Sequence, residues 1–149
     1  TNAKIVTGSA SLASNYTLTG SYTDVTGLTA TFTPSVPSLL IGIGSITASV
    51  SATTQASSAG AADLYFDLDG SRSGTAASGG YFLTVSSGTA SPEWDGNIPL
   101  ITVASVTAAS HTLKVRGRVI NQSNSTAALI SKADGANVSS GFRYFLLPT

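Results

Sequence analysis

Charge is what this 149-residue chain most lacks: charged side chains make up 9% of it, against about 25% in an ordinary soluble domain. Seven acids balance seven bases, so no field of one sign exists to draw in nucleic acid or an anionic membrane, and neither is expected as a partner. Cys is absent, which excludes a disulfide framework and a thiolate metal site. Met is absent too, so either an initiator has been removed ahead of the small Thr1 or the chain begins inside a longer protein. No apolar run reaches the ~18 residues of a spanning helix, and no signal peptide is visible. Helical periodicity is also missing, because no window of about 11–18 residues repeats at the spacing of a helix face.

What remains is rich in Ser, Thr, Ala and Gly, yet 42% of the residues are hydrophobic, too many for a disordered chain. The length suits one domain with a real core. A protein with no net charge gives up charge-based solubility and tends to associate, so self-association is the default expectation.

Period-2 segments recur between turn signals. The clearest runs from Val25 to Thr33 and ends at Pro34, with Leu28, Ala30 and Phe32 on one face and Thr29, Thr31 and Thr33 on the other. Such β-branched residues lose side-chain freedom in a helix and sit well on a pleated surface. Tyr16–Tyr22 alternates up to Gly20. Leu39–Ser51 is the longest apolar run, and its pattern is expected to slip at Gly44-Ser45, passing from Leu39, Ile41 and Ile43 to Ile46, Ala48 and Val50. Asp63–Asp69 reads as a strand with Leu64, Phe66 and Leu68 inward, closed by an Asp69-Gly70 turn. Tyr81–Val85, Ile98–Val106, His111–Ile120, Ala127–Lys132 and Phe142–Leu147 complete the strands, the last expected to be central and buried. Residues 53–62, 71–80 and 86–96 read as loops.

The expected fold is therefore all-β: a single antiparallel jelly-roll sandwich of about eight to ten strands with little or no helix. It should occupy residues 16–149, with residues 1–15 as an N-terminal arm or extended segment.

Three pieces together resemble small jelly-roll modules of tailed-phage virion proteins. They are Tyr22-Thr-Asp-Val-Thr-Gly-Leu-Thr-Ala-Thr-Phe-Thr-Pro34, Leu64-Tyr-Phe-Asp-Leu-Asp-Gly70 and Ser110-His-Thr-Leu-Lys-Val-Arg-Gly-Arg118. These modules are similar to the tumour-necrosis-factor jelly roll, and the resemblance spans roughly Tyr16 to Leu147. It implies a non-enzymatic structural protein of a phage-like particle, in capsid decoration or a tail appendage. It further implies a homo-oligomer, a trimer by preference, made in the host cytoplasm and carried in the virion beside major capsid or tail proteins. No catalytic residues come with it.

Candidate sites are few. Asp63, Asp67 and Asp69 share a strand face by alternation and are the candidate ligands for a hard cation such as Ca²⁺, which takes six to eight oxygens. Their bland alternative is pairing with Lys114, Arg116 and Arg118 on a neighbouring strand. Those three cations form a basic stripe that is the candidate for salt bridging within or between subunits, hence for assembly. Trp94, with Glu93 and Asp95 beside it, is the candidate for stacking on a sugar ring while the acids hold its hydroxyls. That supports the alternative function, a host-surface carbohydrate or receptor-binding module of a tail fibre or adhesin. His111, the single histidine, has no Gly-x-Ser-x-Gly elbow to serve and is expected to cap the start of its strand. The chain carries no expected cofactor.

Overall fold

The structure is a computed structural model and describes residues 4–51, 58–83, 93–123, 129–130 and 140–149, with side chains placed for 4–48, 62–74, 96–119 and 140–149. The described residues form ten strands and no helix: β1 (Val6–Ser11), β2 (Tyr16–Thr17), β3 (Thr23–Phe32), β4 (Ser38–Ser51), β5 (Ser58–Leu68), β6 (Ser71–Leu83), β7 (Glu93–Val106), β8 (His111–Ser123), β9 (Leu129–Ile130) and β10 (Gly141–Pro148).

Two antiparallel sheets face each other. In the first, β4 holds β7 along one edge; its other edge holds β10 over Ser38–Ser45 and β9 at Ala48–Ser49. β1 closes that side on β10, and β2 on β9. The second sheet runs β3-β8-β5-β6. After β1 and β2 the chain crosses to β3, returns to β4, crosses for the β5–β6 hairpin, returns to β7, crosses to β8 and returns to β9 and β10. Those repeated crossings are the doubly wound Greek key of a jelly roll.

The alternation that marked β3, β5 and β8 decides which faces turn inward. Leu28 and Phe32, Leu64 and Phe66, and Leu113, Val115 and Val119 are all buried, while Ala30 and Leu68 pack against them from partly open positions. A bulge in β3 between Asp24 and Thr29 lets Val25 and Leu28 both point into the core. From the facing sheet come Leu40, Ile46, Leu100, Phe142, Tyr144 and Leu146. Phe66 meets Phe142 edge-on at 5.4 Å between centroids, and Phe32 lies 4.9 Å from Tyr144, the tilted geometries that aromatic pairs prefer.

Several expectations require correction. β4 does not slip at Gly44-Ser45; its register with β7 is unbroken from Ser38 to Ser51. Its inner face is Leu40, Gly42, Gly44, Ile46 and Ala48, so Leu39, Ile41 and Ile43 point outward. The glycines are there for volume: a Cβ on Gly44 would stand 3.2 Å from both Leu100 and Phe66, and one on Gly42 2.8 Å from Thr102. Residues 71–80 are strand, not loop, and join with Tyr81–Leu83 as β6. Residues 58–62 begin β5, and 93–96 begin β7. β10 is central, as expected, but buried on one face only, for Arg143 is exposed and Phe145 and Leu147 are partly so. Within residues 1–15, expected as an arm or extended segment, Val6–Ser11 is extended as β1, the outermost partner of β10, and Leu12 is buried in the core.

Both sides of the sandwich close tightly. On one, Leu12 lies against Gly27 of β3; on the other, Gly74 of β6 presses on the β7 backbone, and Ser73 and Thr102 share a 2.6 Å hydroxyl hydrogen bond. Gly74 has φ +79°, and a Cβ there would sit 2.6 Å from Ile101 O; Gly70 has φ +86° with open space around it. Gly70→Ala should therefore cost only the backbone strain, about 1 kcal/mol, whereas Gly74→Ala adds a backbone clash and should cost about 3 kcal/mol or more. Urea unfolding of the two variants checks the ordering; equal losses would contradict it.

Candidate functional site

Most of the charged side chains of this sparsely charged molecule are gathered on one face. Eight of the fourteen, namely Asp24, Asp63, Asp67, Asp69, Arg72, Lys114, Arg116 and Arg118, lie on the outer face of the β3-β8-β5-β6 sheet or at its β5–β6 turn. Strand alternation puts them there. β5 turns Leu64 and Phe66 inward and so turns Asp63, Tyr65 and Asp67 outward, while β8 does the same with Lys114, Arg116 and Arg118. The register sets Asp63 opposite Arg118, Tyr65 opposite Arg116 and Asp67 opposite Lys114.

The pairs that form are partly diagonal. Lys114 Nζ lies 2.8 Å from Asp24 Oδ2, and Arg116 Nε lies 3.0 Å from Asp24 Oδ1. Arg116 Nη1 stands 3.9 Å from Asp67 Oδ2, and Arg118 Nη2 3.4 Å from Asp63 Oδ2. Asp67, buried to 1% exposure, also accepts from the Gly70 backbone N–H at 2.8 Å.

Two tyrosines roof the acids. Tyr22 Oη donates to Asp63, and its ring meets Tyr65 edge-on at 4.9 Å. Arg118 lies 4.3 Å over the Tyr22 ring and Arg72 5.4 Å over Tyr65, within cation–π range. Burial first, then the hydrogen bond to Asp63 and the charge on that carboxylate, push the Tyr22 phenol above its ordinary 10.0 against the opposing pull of Arg118 and Arg72.

Asp69 leaves this lattice. It sits in the turn at φ 53°, and its carboxylate accepts from the Thr112 N–H at 2.7 Å and lies 2.6 Å from His111 Nδ1. Thr107 O, 3.1 Å from His111 Nε2, can only accept, so Nε2 carries a hydrogen. His111 thus ties the β5–β6 turn to the β7–β8 turn, and its ring stacks at 5.8 Å on Phe32. Burial pushes the Asp69 carboxyl up, but the hydrogen bonds from His111 and Thr112 and the charge of the imidazole outweigh it, leaving the group below its ordinary 3.8.

The three acids considered for Ca²⁺ therefore have separate partners: Asp63 with Tyr22 and Arg118, Asp67 with Arg116 and the turn backbone, Asp69 with His111. Among the described residues no three acidic or histidine side chains gather as metal ligands. Lys114, Arg116 and Arg118, considered for assembly, meet Asp24, Asp63 and Asp67 of their own chain. Glu93, Trp94 and Asp95 open β7 opposite Ser51, Val50 and Ser49, so they lie in a strand and not in the loop expected of a sugar platform. Their side chains lie outside the described residues. Residues 71–80, expected as a loop, belong to β6.

Alternation alone concealed a second surface. The outer face of the other sheet is apolar: Ile43, Ile101 and Val103 are 51%, 58% and 55% exposed. Register aligns Arg143, Ile43 and Ile101 in one cross-strand row, and Phe145, Ile41 and Val103 in the next. At its β1–β10–β4 side this face holds a groove of 480 Å³ lined by Ser9, Ser11, Ile43, Ser45, Arg143 and Phe145 among others. The signal was present in the odd-numbered apolar residues of Leu39–Ser51 and Ile98–Val106, but an apolar run on both faces reads as burial until the partner sheet is known. The chain matches no protein-family model and no curated protein.

A carboxylate held below its ordinary range contributes stability that is present above about pH 4 and is lost as pH falls through its folded value. Unfolding free energies from pH 7 to 2 should fall for the parent below about pH 4, and Asp69→Asn should start lower and fall less steeply; parallel curves would contradict the assignment. The raised Tyr22 phenol has the opposite sign: its contribution is whole below pH 10 and disappears as pH rises beyond that. Ultraviolet titration of tyrosinate should show one late-ionising phenol that Tyr22→Phe removes.

Proposed function

We propose that this chain is a non-enzymatic structural module of a phage-like particle, in capsid decoration or as a tail appendage, working by assembly in the virion. The observation that carries this reading is the apolar outer face of the β1-β10-β4-β7 sheet. A soluble monomer seldom leaves a contiguous patch of Ile, Val and Phe open; such patches mark interaction sites. The opposite face supports the same division of labour. Its acids and bases neutralise one another within the chain, which leaves a hydrated, self-contained exterior.

The resemblance to virion jelly rolls supplies the setting, and the doubly wound sandwich is compatible with it. The assembly is read as a homo-oligomer, a trimer by preference, which then meets a major capsid or tail protein. An interface of standard size, about 800 Å² per partner, gains on the order of 20 kcal/mol gross if somewhat over half of it is apolar. Loss of translational and rotational freedom offsets about 4–15 kcal/mol of that, so such a face sustains a stable contact without ion pairs.

Size-exclusion chromatography with light scattering tests the proposal. The parent should associate at micromolar concentration, and Ile101→Glu with Val103→Glu should give a monomer with an unchanged circular dichroism spectrum, since both side chains are more than half exposed. A parent that stays monomeric and binds no particle would refute it.

A further inference from the structure

Among the described side chains, one charged group stands within the apolar face. Arg143 of β10 is exposed, lies in register between Ser9 and Ile43, and has no acidic or hydrogen-bonding partner among the described residues. Every other described arginine meets a carboxylate or an aromatic ring of its own chain: Arg116 and Arg118 the acids, Arg72 the Tyr65 ring. Among the described side chains this face offers no carboxylate at all. The groove at Arg143 is also shaped to take something small and mixed in character. The outer row next to Arg143 carries Gly141, with no side chain, between Ser11 and Ser45. The groove here has room of 480 Å³, within the ~300–1,000 Å³ of ordinary binding clefts. Its apolar walls are Ile43 and Phe145, its hydroxyls come from Ser9, Ser11 and Ser45, and Arg143 is the single cation at its side.

We propose, resting on the assembly reading, that this groove receives an extended segment of a partner protein that carries an Asp or Glu between apolar residues. The partner's carboxylate pairs with Arg143, its apolar neighbours cover Ile43 and Phe145, and the hydroxyls of Ser9 and Ser11 take its backbone polar groups, that of Ser45 being held by Asn97. Charge complementarity argues for such an occupant. Burying the face under a purely apolar partner would leave the guanidinium desolvated and unpaired, which is costly, whereas an Arg–carboxylate pair can be bidentate and fixes the docking register. The apolar surface supplies the affinity, and Arg143 supplies the choice of partner.

The probe is a blocked five-residue peptide with a central Glu flanked by Leu and Val, alongside its Gln counterpart, titrated into the full chain and followed by amide and arginine side-chain nuclear magnetic resonance. The Glu peptide should shift the Arg143 Nε–H and the amides of Ser9, Gly141 and Ser45. The Gln peptide, or the Arg143→Leu chain, should bind about tenfold or more weakly, and raised salt should weaken the Glu peptide alone. Equal binding of the two peptides, shifts confined to the charged sheet, or no binding at millimolar peptide would each overturn the proposal. Light scattering on Arg143→Glu separates it from the assembly reading. Self-association unchanged by that substitution leaves the groove to a different protein, as proposed; its abolition would identify a second copy as the occupant and overturn the inference while sparing the assembly reading.

Discussion

The packing at the centre of β4 constrains everything else. Gly42 and Gly44 face inward, and the space they leave is taken by Phe66, Leu100 and Leu113 from the surrounding strands. Interiors pack at crystal-like density, so the aromatic side chains of β5 and β10 can meet between the sheets only because β4 presents almost nothing there. That choice has an outward cost. With Gly42 and Gly44 at the inner positions between Leu40 and Ile46, the aliphatics that alternate with them, Leu39, Ile41 and Ile43, face away from the core. The apolar exterior of one sheet is thus the reverse side of the fit between the two.

The other sheet shows the complementary arrangement. Its inner positions are filled by Leu, Val and Phe, and its outer positions carry most of the charge the chain possesses. Because acids and bases alternate across β3, β8 and β5, each charge finds an opposite one a strand away. Pairs of this kind contribute little individually when exposed, but Asp63 and Asp67 are deeply covered, and removing one partner there would strand a buried charge. The lattice is better understood as specifying the register of β5 against β8 than as a reservoir of stability.

Much of the fold was legible because alternation is a local signal. The Thr face of β3, the inward Leu and Phe of β5 and the basic stripe of β8 could be read residue by residue, and the all-β sandwich followed from them. The pairing of that stripe with the β5 acids was legible too, as the bland alternative to a cation site. What could not be read was non-local. An apolar run such as Leu39–Ser51 has no polar face to show which side is inward, and two glycines in it imitate a bulge. Ser/Ala/Gly segments such as 71–80 carry the composition of loops, yet they become strand when β5 supplies a ladder. Arg143 is not legible in the sequence because its significance lies in what its neighbours lack, which only the register of β10 against β1 and β4 reveals.

The fourteen-residue ladder between β4 and β7 has a mechanical meaning. Its two strands are antiparallel and bonded along their full length, so a force pulling them past one another along the strand axis loads all the rungs together. The two-residue pairing of β2 with β9 has no such reserve and would open rung by rung. Under tension, β4 and β7 would carry the load while the short outer pairings yielded first.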